Sequence, residues 1–500
     1  MTVEGEQSRR AFLRRAVMIG APLLGARVAS AATPAISARD HGARGDGRAK
    51  DTRAIQAAID HAAASGGTAH LPPGDYLSGT LHLRSGVTLR LDAGATLIAS
   101  RDDRDFDPPE RLGYESFADE ETTDFAFALL RGRGLHDVVI VGPGRIDGNR
   151  SWRTGPKPIA LKQCRRVQVR DLRVDDAGNY AVSLLGCDEV DIRRVTIRNG
   201  YSDGVDPDCC RHVRIADCDI ESRDDAIAIK SSFALGRVRH TEDVVVSGCR
   251  LVTLHNGLKL GTESVGDFRD IVFRDCTIAS RRHFIKGHMS SGVALETVDG
   301  GRLERVSVAR IRMTDVRAPL FVRLARRGQA PGPRRAGALT DVSIADVVAT
   351  GAMMASSITG IPAAPVGRVA LARVRVVALG GGSAELLSHG VPEFERRYPD
   401  ATMYPDLPAY GLYCRHVTGL RLGAVELRVE QPDGRPAVML EDVCATDLAG
   451  VRATPPAGGE AIVRVSAAPA CADSAPASAA VPRGDGEAGW VPEGEPSDLD

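Results

Sequence analysis

The chain of 500 residues has few aromatic residues, few lysines and almost no net charge. It contains 11 Phe, 8 Tyr and 2 Trp, and no run of 18 apolar residues lies outside its N-terminus, which excludes a multi-span membrane protein. A formal net charge of −1 argues against a nucleic-acid-binding protein that relies on overall positive charge. Only six of the 64 basic residues are Lys, and the other 58 are Arg.

The N-terminus has the features of an export signal. The twin arginines Arg9-Arg10 precede a mildly apolar run at 16–24, and a small-residue Ala-Ser-Ala site ends at Ala31. These features predict a Tat signal peptide over residues 1–31, and a mature protein that is periplasmic or extracellular. An amphipathic first helix is the alternative, but glycine and proline in and beside the apolar run would weaken it.

A repeated pattern of apolar residues dominates the chain from Val138 onward. Apolar residues occupy positions 0, 2, 5 and, in most copies, 7 of units that begin at Val167, Val190, Val213, Val244, Ile271, Val306, Val342, Val369 and Leu420. Two short alternating runs separated by a one-residue phase slip predict two strands joined by a bend. A strand pair of this size cannot bury its apolar face alone and must stack on its neighbours. The sequence therefore predicts an all-β fold, a single-stranded right-handed parallel β-helix of about ten coils.

Two further features agree with this fold. Residues 51–64 have apolar side chains at helical spacing, with Asp51 as N-cap and Gly66 as stop, and predict a helix that caps the open N-terminal end of the solenoid. Six cysteines occupy equivalent positions of neighbouring coils in two sets, Cys164/Cys187/Cys210 and Cys218/Cys249/Cys276. We interpret them as columns of small, buried, reduced side chains, with disulfides between neighbours as the alternative.

The repeats also set the expected domain boundaries. We expect one catalytic β-helix domain over residues 32–450, followed by a disordered tail over 451–500 that is rich in Ala, Pro, Gly, Ser and acidic residues. Two inserted segments without periodicity, 113–124 and 392–408, are candidates for closing the ends of a groove on the solenoid.

Three carboxylates interrupt the plain structural repetition. Asp203 is followed 21 residues later by Asp224 and Asp225, at nearby positions of neighbouring coils. The coil spacing predicts about 8 Å between Asp203 and Asp224, and an inverting glycosidase needs about 6.5 to 9.5 Å between its carboxyl groups. Aspartate is also an ordinary turn residue in a solenoid, but three packed carboxylates repel one another and are costly without a function.

Basic residues gather on the same face. They are His255, Lys230, Lys259, Arg282 and Lys286. Cations beside carboxylates hold them ionised and bind an anionic substrate, so we assign the four Lys and Arg residues to substrate binding. Neutralising salt bridges are the alternative, and Lys230 fits that alternative best. The three aspartates could also bind Ca²⁺, but the lysines would compete with it, so we predict no metal and no cofactor.

These motifs resemble family 28 of the glycoside hydrolases, the polygalacturonase family, within the pectin-lyase-like β-helix superfamily. The likeness begins with HGARGDG at 41–47, continues through LPPGDY at 71–76 and covers most of residues 37–450. Its most specific part is the Ser-Asp-Gly around Asp203, followed by Asp224-Asp225 and then Ile-Ala-Ile-Lys-Ser, which is similar to the NTD and GDD signatures of that family.

The resemblance implies roles for individual residues. Asp224 would be the general acid, and Asp203 and Asp225 would activate the water. His255 would correspond to the histidine of the GHG motif and would be the fourth catalytic residue. Lys286 would correspond to the lysine of the RIK motif. The chain departs from these motifs at Tyr201, Arg223, Leu254, Asn256 and Phe284.

The predicted function is therefore an exported inverting glycoside hydrolase. Its substrate would be a pectic or related acidic polysaccharide or oligosaccharide, and the protein would act as a monomer without nucleic acid, and without a membrane once the signal is cleaved. A Ca²⁺-dependent polysaccharide lyase on the same fold is one alternative, and a non-catalytic carbohydrate-binding β-helix is another.

Overall fold

The computed structural model describes residues 35–280, 289–459 and 461–466, and these form a right-handed parallel β-helix. The strands pair in parallel, and a coil of about 23 residues adds one strand to each of three sheets. The predicted all-β fold is confirmed. The predicted signal peptide over 1–31 lies outside the described residues.

The strands fall into three sheets, joined toward the C-terminus by longer strands that bend from one sheet into the next. The first sheet contains Ala35–Ser37, Thr68–Leu71, Thr88–Leu91, His136–Val141, Arg165–Arg170, Asp188–Arg193, Arg211–Ala216 and Thr241–Ser247. The second contains Asp46–Lys50, Gly74–Ser78, Ala95–Ala99, Arg145–Asp147, Arg173–Asp175, Thr196–Gly200, Asp219–Ser222, Arg250–Thr253 and Val451–Ala453. The third contains Leu81–His82, Ala128–Arg133, Lys157–Lys162, Val182–Leu185, Val205–Asp208, Ile227–Ser231, Asn256–Ser264, Ser291–Thr297, Ala318–Leu324, Ser356–Thr359 and Val463–Ser466.

Six longer strands serve more than one sheet. Those that run from the first sheet into the second are Phe268–Ser280, Arg302–Thr314, Ala338–Ala352 and Val369–Gly380. Val438–Asp447 runs from the third sheet into the first, and Leu412–Gln431 passes through all three. Short helical turns lie in the connections, at Ala38–His41, Asp103–Asp105, Glu120–Thr123, Ala384–Ser388 and Ala401–Met403.

The structure corrects the expected two strands per coil to three. Positions 0 and 2 of a repeat, such as Val190 and Ile192, lie in the first sheet, and position 7, such as Ile197, lies in the second. The repeat pattern did not predict the third sheet because strands of that sheet are buried on both faces. In Val182–Leu185, for example, every residue is buried. Side chains such as Phe125 pack on its outer face and remove the polar half of the alternation that marks a half-buried strand.

The predicted capping helix is present at Thr52–Ser65. Its buried face consists of Ile55, Ala58, Ile59 and Ala62, and it ends at Gly66 in the left-handed conformation with φ 69°. Asp51 occupies the N-cap position, but its carboxylate makes no capping bond to the helix. It accepts instead from the backbone N–H groups of Arg44 and Gly45, at 2.8 and 2.9 Å, and so ties the preceding loop to the helix.

The cysteine columns are confirmed as buried free thiols. Cys164, Cys187 and Cys210 stack on consecutive coils, and the backbone N–H of Cys187 lies 3.3 Å from the Sγ of Cys210. Cys218, Cys249 and Cys276 are likewise buried and free.

The expected end of the β-helix at residue 450 is too early. Val451–Ala453 pairs with the second sheet, and Val463–Ser466 pairs with Val438–Asp447 in the third. These strands are too short to stand out against the Ala- and Pro-rich composition around them. The remainder of the predicted tail, 467–500, lies outside the described residues, and no helix among the described residues is long and apolar enough to cross a membrane.

The surplus of arginine has a structural role on the surface of the coils. An Arg on one coil often makes two hydrogen bonds to an Asp on the coil before it, as Arg194 does with Asp171 and Arg373 with Asp346. Both aspartates sit at bends with positive φ. A planar guanidinium can donate two parallel hydrogen bonds to one carboxylate, and an ammonium cannot. This difference explains why Arg, and not Lys, occupies these surface positions.

Candidate active site

The three predicted carboxylates meet at the bend between the second and third sheets. Asp203 precedes the strand Val205–Asp208, and Asp224 and Asp225 precede Ile227–Ser231 on the next coil. The register pairs Val205 with Ile227, so Asp203 lies beside Asp225. The backbone N–H of Asp225 lies 3.1 Å from both Asp203 Oδ1 and Asp224 Oδ1, so the three residues are neighbours.

Asp225 is the firmly ionised member of the cluster. It is buried, and it accepts hydrogen bonds from Lys259 Nζ at 3.0 Å, His255 Nδ1 at 3.1 Å, and the backbone and side-chain nitrogens of Asn256 at 3.0 and 2.7 Å. Burial opposes ionisation, but the Lys259 charge and the His255 hydrogen bond outweigh it and hold the pKa of Asp225 well below its usual range.

Asp203 has the opposite tendency. It is buried, and its nearest cation, Lys230 Nζ, is 3.7 Å from Oδ2. Burial and the neighbouring charge of Asp224 raise the pKa of Asp203 well above its ordinary value, although Lys230 opposes the change. Two adjacent carboxylates with pKa values displaced in opposite directions are typical of sites that move protons.

Asp224 lies nearer the surface and has a different set of partners. Its Oδ1 accepts the backbone N–H of Asp225 at 3.1 Å and lies 3.6 Å from His255 Nδ1. Its Oδ2 accepts from Arg153, a residue 71 positions earlier in the chain. The same guanidinium binds Glu121, so Arg153 links the cluster to the inserted segment at 113–124.

His255 is half-buried between carboxylates. Its Nδ1 faces Asp225, and its Nε2 is 3.5 Å from Asp400 Oδ2, which belongs to the second inserted segment. Burial disfavours the imidazolium, but the hydrogen bond to Asp225 and the charges of Asp225 and Asp224 raise the pKa of His255 to about 9. The histidine is therefore a cation at neutral pH.

His255 is expected to make stability depend on pH. Its pKa of about 9 in the folded protein exceeds the ordinary value of 6.5, so its stabilising contribution is complete below that ordinary value and is lost as pH rises through about 9. Replacing His255 by Gln should therefore lower the free energy of unfolding at about pH 6 and change it less at about pH 10. Denaturant titrations at both pH values measure this, with His136→Gln, an exposed histidine with 56% of its side chain accessible, as control. An equal loss at both pH values would contradict the assignment.

Lys230 and Lys259 face the outer side of the third sheet as expected, but they are buried beneath loops. Lys230 Nζ lies 3.0 Å from Asp206 Oδ2 and 2.8 Å from the Tyr180 hydroxyl, and only 6% of its side chain is exposed. Lys259 is paired with Asp225 and lies 5.6 Å from the centre of the Tyr398 ring. Arg282 and Lys286, the other two predicted substrate-binding residues, lie outside the described residues.

Comparison with known proteins identifies the family. Residues 112–359 match the family described as Glycosyl hydrolases family 28, a stretch that contains all three carboxylates and His255. The chain belongs to this family. It is an O-glycosyl hydrolase of the polygalacturonase family. Residues 35–101 match a second profile, Rhamnogalacturonase A/epimerase, pectate lyase-like.

Individual relatives of this family 28 hydrolase are distant. A probable polygalacturonase of Vitis vinifera is 25% identical over 355 residues, covering 65% of this chain and 71% of the relative. An exopolygalacturonase from Thermotoga maritima has a TM-score of 0.59 at 19% identity, covering 69% of this chain and 87% of that structure. A family 28 exopolygalacturonase from Yersinia enterocolitica has a TM-score of 0.58 at 16% identity, covering 87% of this chain and 79% of that structure. At these identities the two structures establish the fold.

Both inserted segments of the hydrolase reach the carboxylate cluster. The first brings Glu121 against Arg153, and the second brings Tyr398 to Lys259 and Asp400 to His255. None of these three contacts follows from the repeat, because loops carry no periodicity. The absence of a pattern marked the two segments as functional candidates, but it could not single out a residue within them.

A metal ion does not suit the donor set of this family 28 site. Asp224, Asp225 and His255 place ligand atoms within 4.8 Å of one another. A metal-binding histidine must be neutral, whereas the pKa of His255 is raised to about 9. Arg153 and Lys259 already neutralise the two carboxylates. The cluster is therefore better described as an ion-paired group of acids.

Proposed function

We propose that the protein is an exported, monomeric inverting hydrolase that cleaves glycosidic bonds of a pectic polysaccharide or oligosaccharide. The observation that carries this proposal is the contact of Asp203, Asp224 and Asp225 at one bend of the β-helix, with Asp225 held ionised by Lys259. The names of the relatives, which are polygalacturonases, support a polymer of galacturonate as the substrate.

The proposed reaction is one displacement. Asp224 donates its proton to the glycosidic oxygen as the bond between that oxygen and C1 breaks. A water molecule attacks C1 from the opposite face, and Asp225, assisted by Asp203, accepts the proton that the water loses. The configuration at C1 is inverted, and the two carboxyl groups end with their protons exchanged and return to the starting state through solvent.

The cations divide into two groups in this proposal. Lys230 and Lys259 are largely covered, and their contacts with Asp206 and Asp225 suit them to holding the acids in their charge states. Arg282 and Lys286 remain proposed as direct contacts to the substrate. His255, charged at neutral pH, is proposed to orient Asp225 and to contribute positive charge beside the sugar.

Product analysis tests the proposal. Polygalacturonate, rhamnogalacturonan and their oligomers are incubated with the protein, with and without chelator, and the products are followed by reducing-end assay, ultraviolet absorbance and proton NMR. We expect reducing ends of inverted configuration that form equally well in chelator. An unsaturated, ultraviolet-absorbing product that is lost in chelator would establish the lyase instead. Oligosaccharide binding without any product would establish the non-catalytic alternative.

A further inference from the structure

Arg153 occupies the oxygen of Asp224 that the proposed mechanism needs. Oδ1 of Asp224 accepts the backbone N–H of Asp225 at 3.1 Å, so a proton for donation to the substrate belongs on Oδ2. A guanidinium nitrogen of Arg153 donates to Oδ2, and an oxygen that accepts from a guanidinium cannot also present a proton outward. The resting structure therefore holds Asp224 as a carboxylate, and catalysis requires that Arg153 leave Oδ2.

Glu121 keeps the arginine close by after such a release. It accepts from Nε of Arg153 at 2.9 Å and from a second guanidinium nitrogen, so two of the three nitrogens are anchored on the segment 113–124. Glu121 is itself held by the Ser202 hydroxyl at 3.3 Å, next to Asp203. The third nitrogen can exchange one acceptor for another while the rest of the guanidinium stays in place.

The exchange needs a second anion at the site. The Arg153 side chain is 47% exposed and can be reached by a ligand, whereas Lys230 and Lys259 are buried. A carboxylate of a bound sugar can take the bond that Asp224 gives up, and the guanidinium then remains paired throughout. A neutral sugar offers no such acceptor.

We infer that Arg153 is a substrate-carboxylate receptor: only when a uronate sugar binds beside it does Arg153 release Asp224, which then takes a proton from solvent and can donate it to the glycosidic oxygen. This inference rests on the proposed function, because it assigns Asp224 as the acid. It makes acidity of the substrate a condition for catalysis as well as for binding.

Steady-state kinetics of Arg153→Met test the inference with polygalacturonate and its methyl ester as paired substrates. We expect the preference for the acid form, as a ratio of kcat/KM values, to fall about 10- to 100-fold. Arg153→Lys keeps the positive charge but not the planar guanidinium, and its preference for the acid form should lie between those of wild type and Arg153→Met. Arg373→Met removes an equivalent two-bond Arg–Asp pair far along the solenoid and should match wild type. An unchanged preference for the acid form in folded Arg153→Met would overturn the inference.

Binding separates this inference from the proposed function. Calorimetry with digalacturonate measures the contact whether or not the protein turns the sugar over. If the wild type is inactive but Arg153→Met binds digalacturonate more weakly, the role of Arg153 in binding is supported and the proposed hydrolase activity is refuted. An active wild type whose affinity is equal in both proteins would refute the receptor alone, and a wild type that binds no uronate would refute both.

Discussion

Asp224→Asn is expected to lower kcat for reducing-end release by about 10²- to 10⁴-fold, because an amide cannot donate the proton that the leaving oxygen requires. The fold should tolerate the change, since Asp224 is only partly buried and the backbone N–H of Asp225 can still donate to the side-chain oxygen of Asn. KM should change little if the residue acts in the transition state alone. Initial rates on polygalacturonate measure the effect.

The matched control for this variant is Asp191→Asn. Asp191 is also a partly exposed carboxylate paired with an arginine, Arg193, but it lies on the first sheet, on a different face of the solenoid. Its activity should equal that of wild type. Near-wild-type activity in Asp224→Asn would remove Asp224 from the mechanism, whatever the control does.

Lys230→Met is expected to lower the free energy of unfolding by about 3–5 kcal/mol, because it leaves buried carboxylates without their cation. Lys230 Nζ lies 3.0 Å from Asp206, 3.7 Å from Asp203 and 3.8 Å from Glu263. Burial already raises the pKa of Asp206 to about 6 despite this lysine, so its ionised form depends on the pair. Denaturant titration at neutral pH measures the loss.

Two further variants make the lysine result specific. Lys50→Met removes an exposed lysine that pairs with Asp105 at 2.7 Å, and it should change stability by no more than about 1 kcal/mol. Adding Asp206→Asn to Lys230→Met removes the stranded charge and should recover part of the loss. A Lys230→Met protein as stable as Lys50→Met would show that the buried cation is not needed to compensate the carboxylates.

The sequence was informative wherever the repeat reaches. The proximity of Asp203, Asp224 and Asp225 could be predicted because one coil stacks on the next in register. Residues at equivalent positions of neighbouring repeats are therefore neighbours in space. The same register predicted the cysteine columns and the outward direction of Lys230 and Lys259. It did not reveal the third strand in coils such as the one that contains Val182–Leu185, whose outer face is covered.

The repeat did not predict the long-range contacts that loops make. Arg153 lies 71 residues from Asp224, and Lys259 lies 139 residues from Tyr398. Both contacts depend on the path of a segment outside the repeat. The position of such a residue in space cannot be predicted from its position in the sequence. The burial of the two lysines has the same origin, because the loops that cover them are not part of the periodic chain.

The few lysines show the difference between what the sequence determines and what the tertiary structure determines. Periodicity alone determined a parallel β-helix, an N-terminal capping helix, columns of free cysteines and a cluster of three acids, because stacking converts sequence spacing directly into distance. Tertiary structure decided which cation meets which acid: Lys230 with Asp206, Lys259 with Asp225 and Arg153 with Asp224. These pairings set how strongly each carboxylate interacts with a cation, since the energy between two charges depends on their separation and burial, which only the folded loops establish.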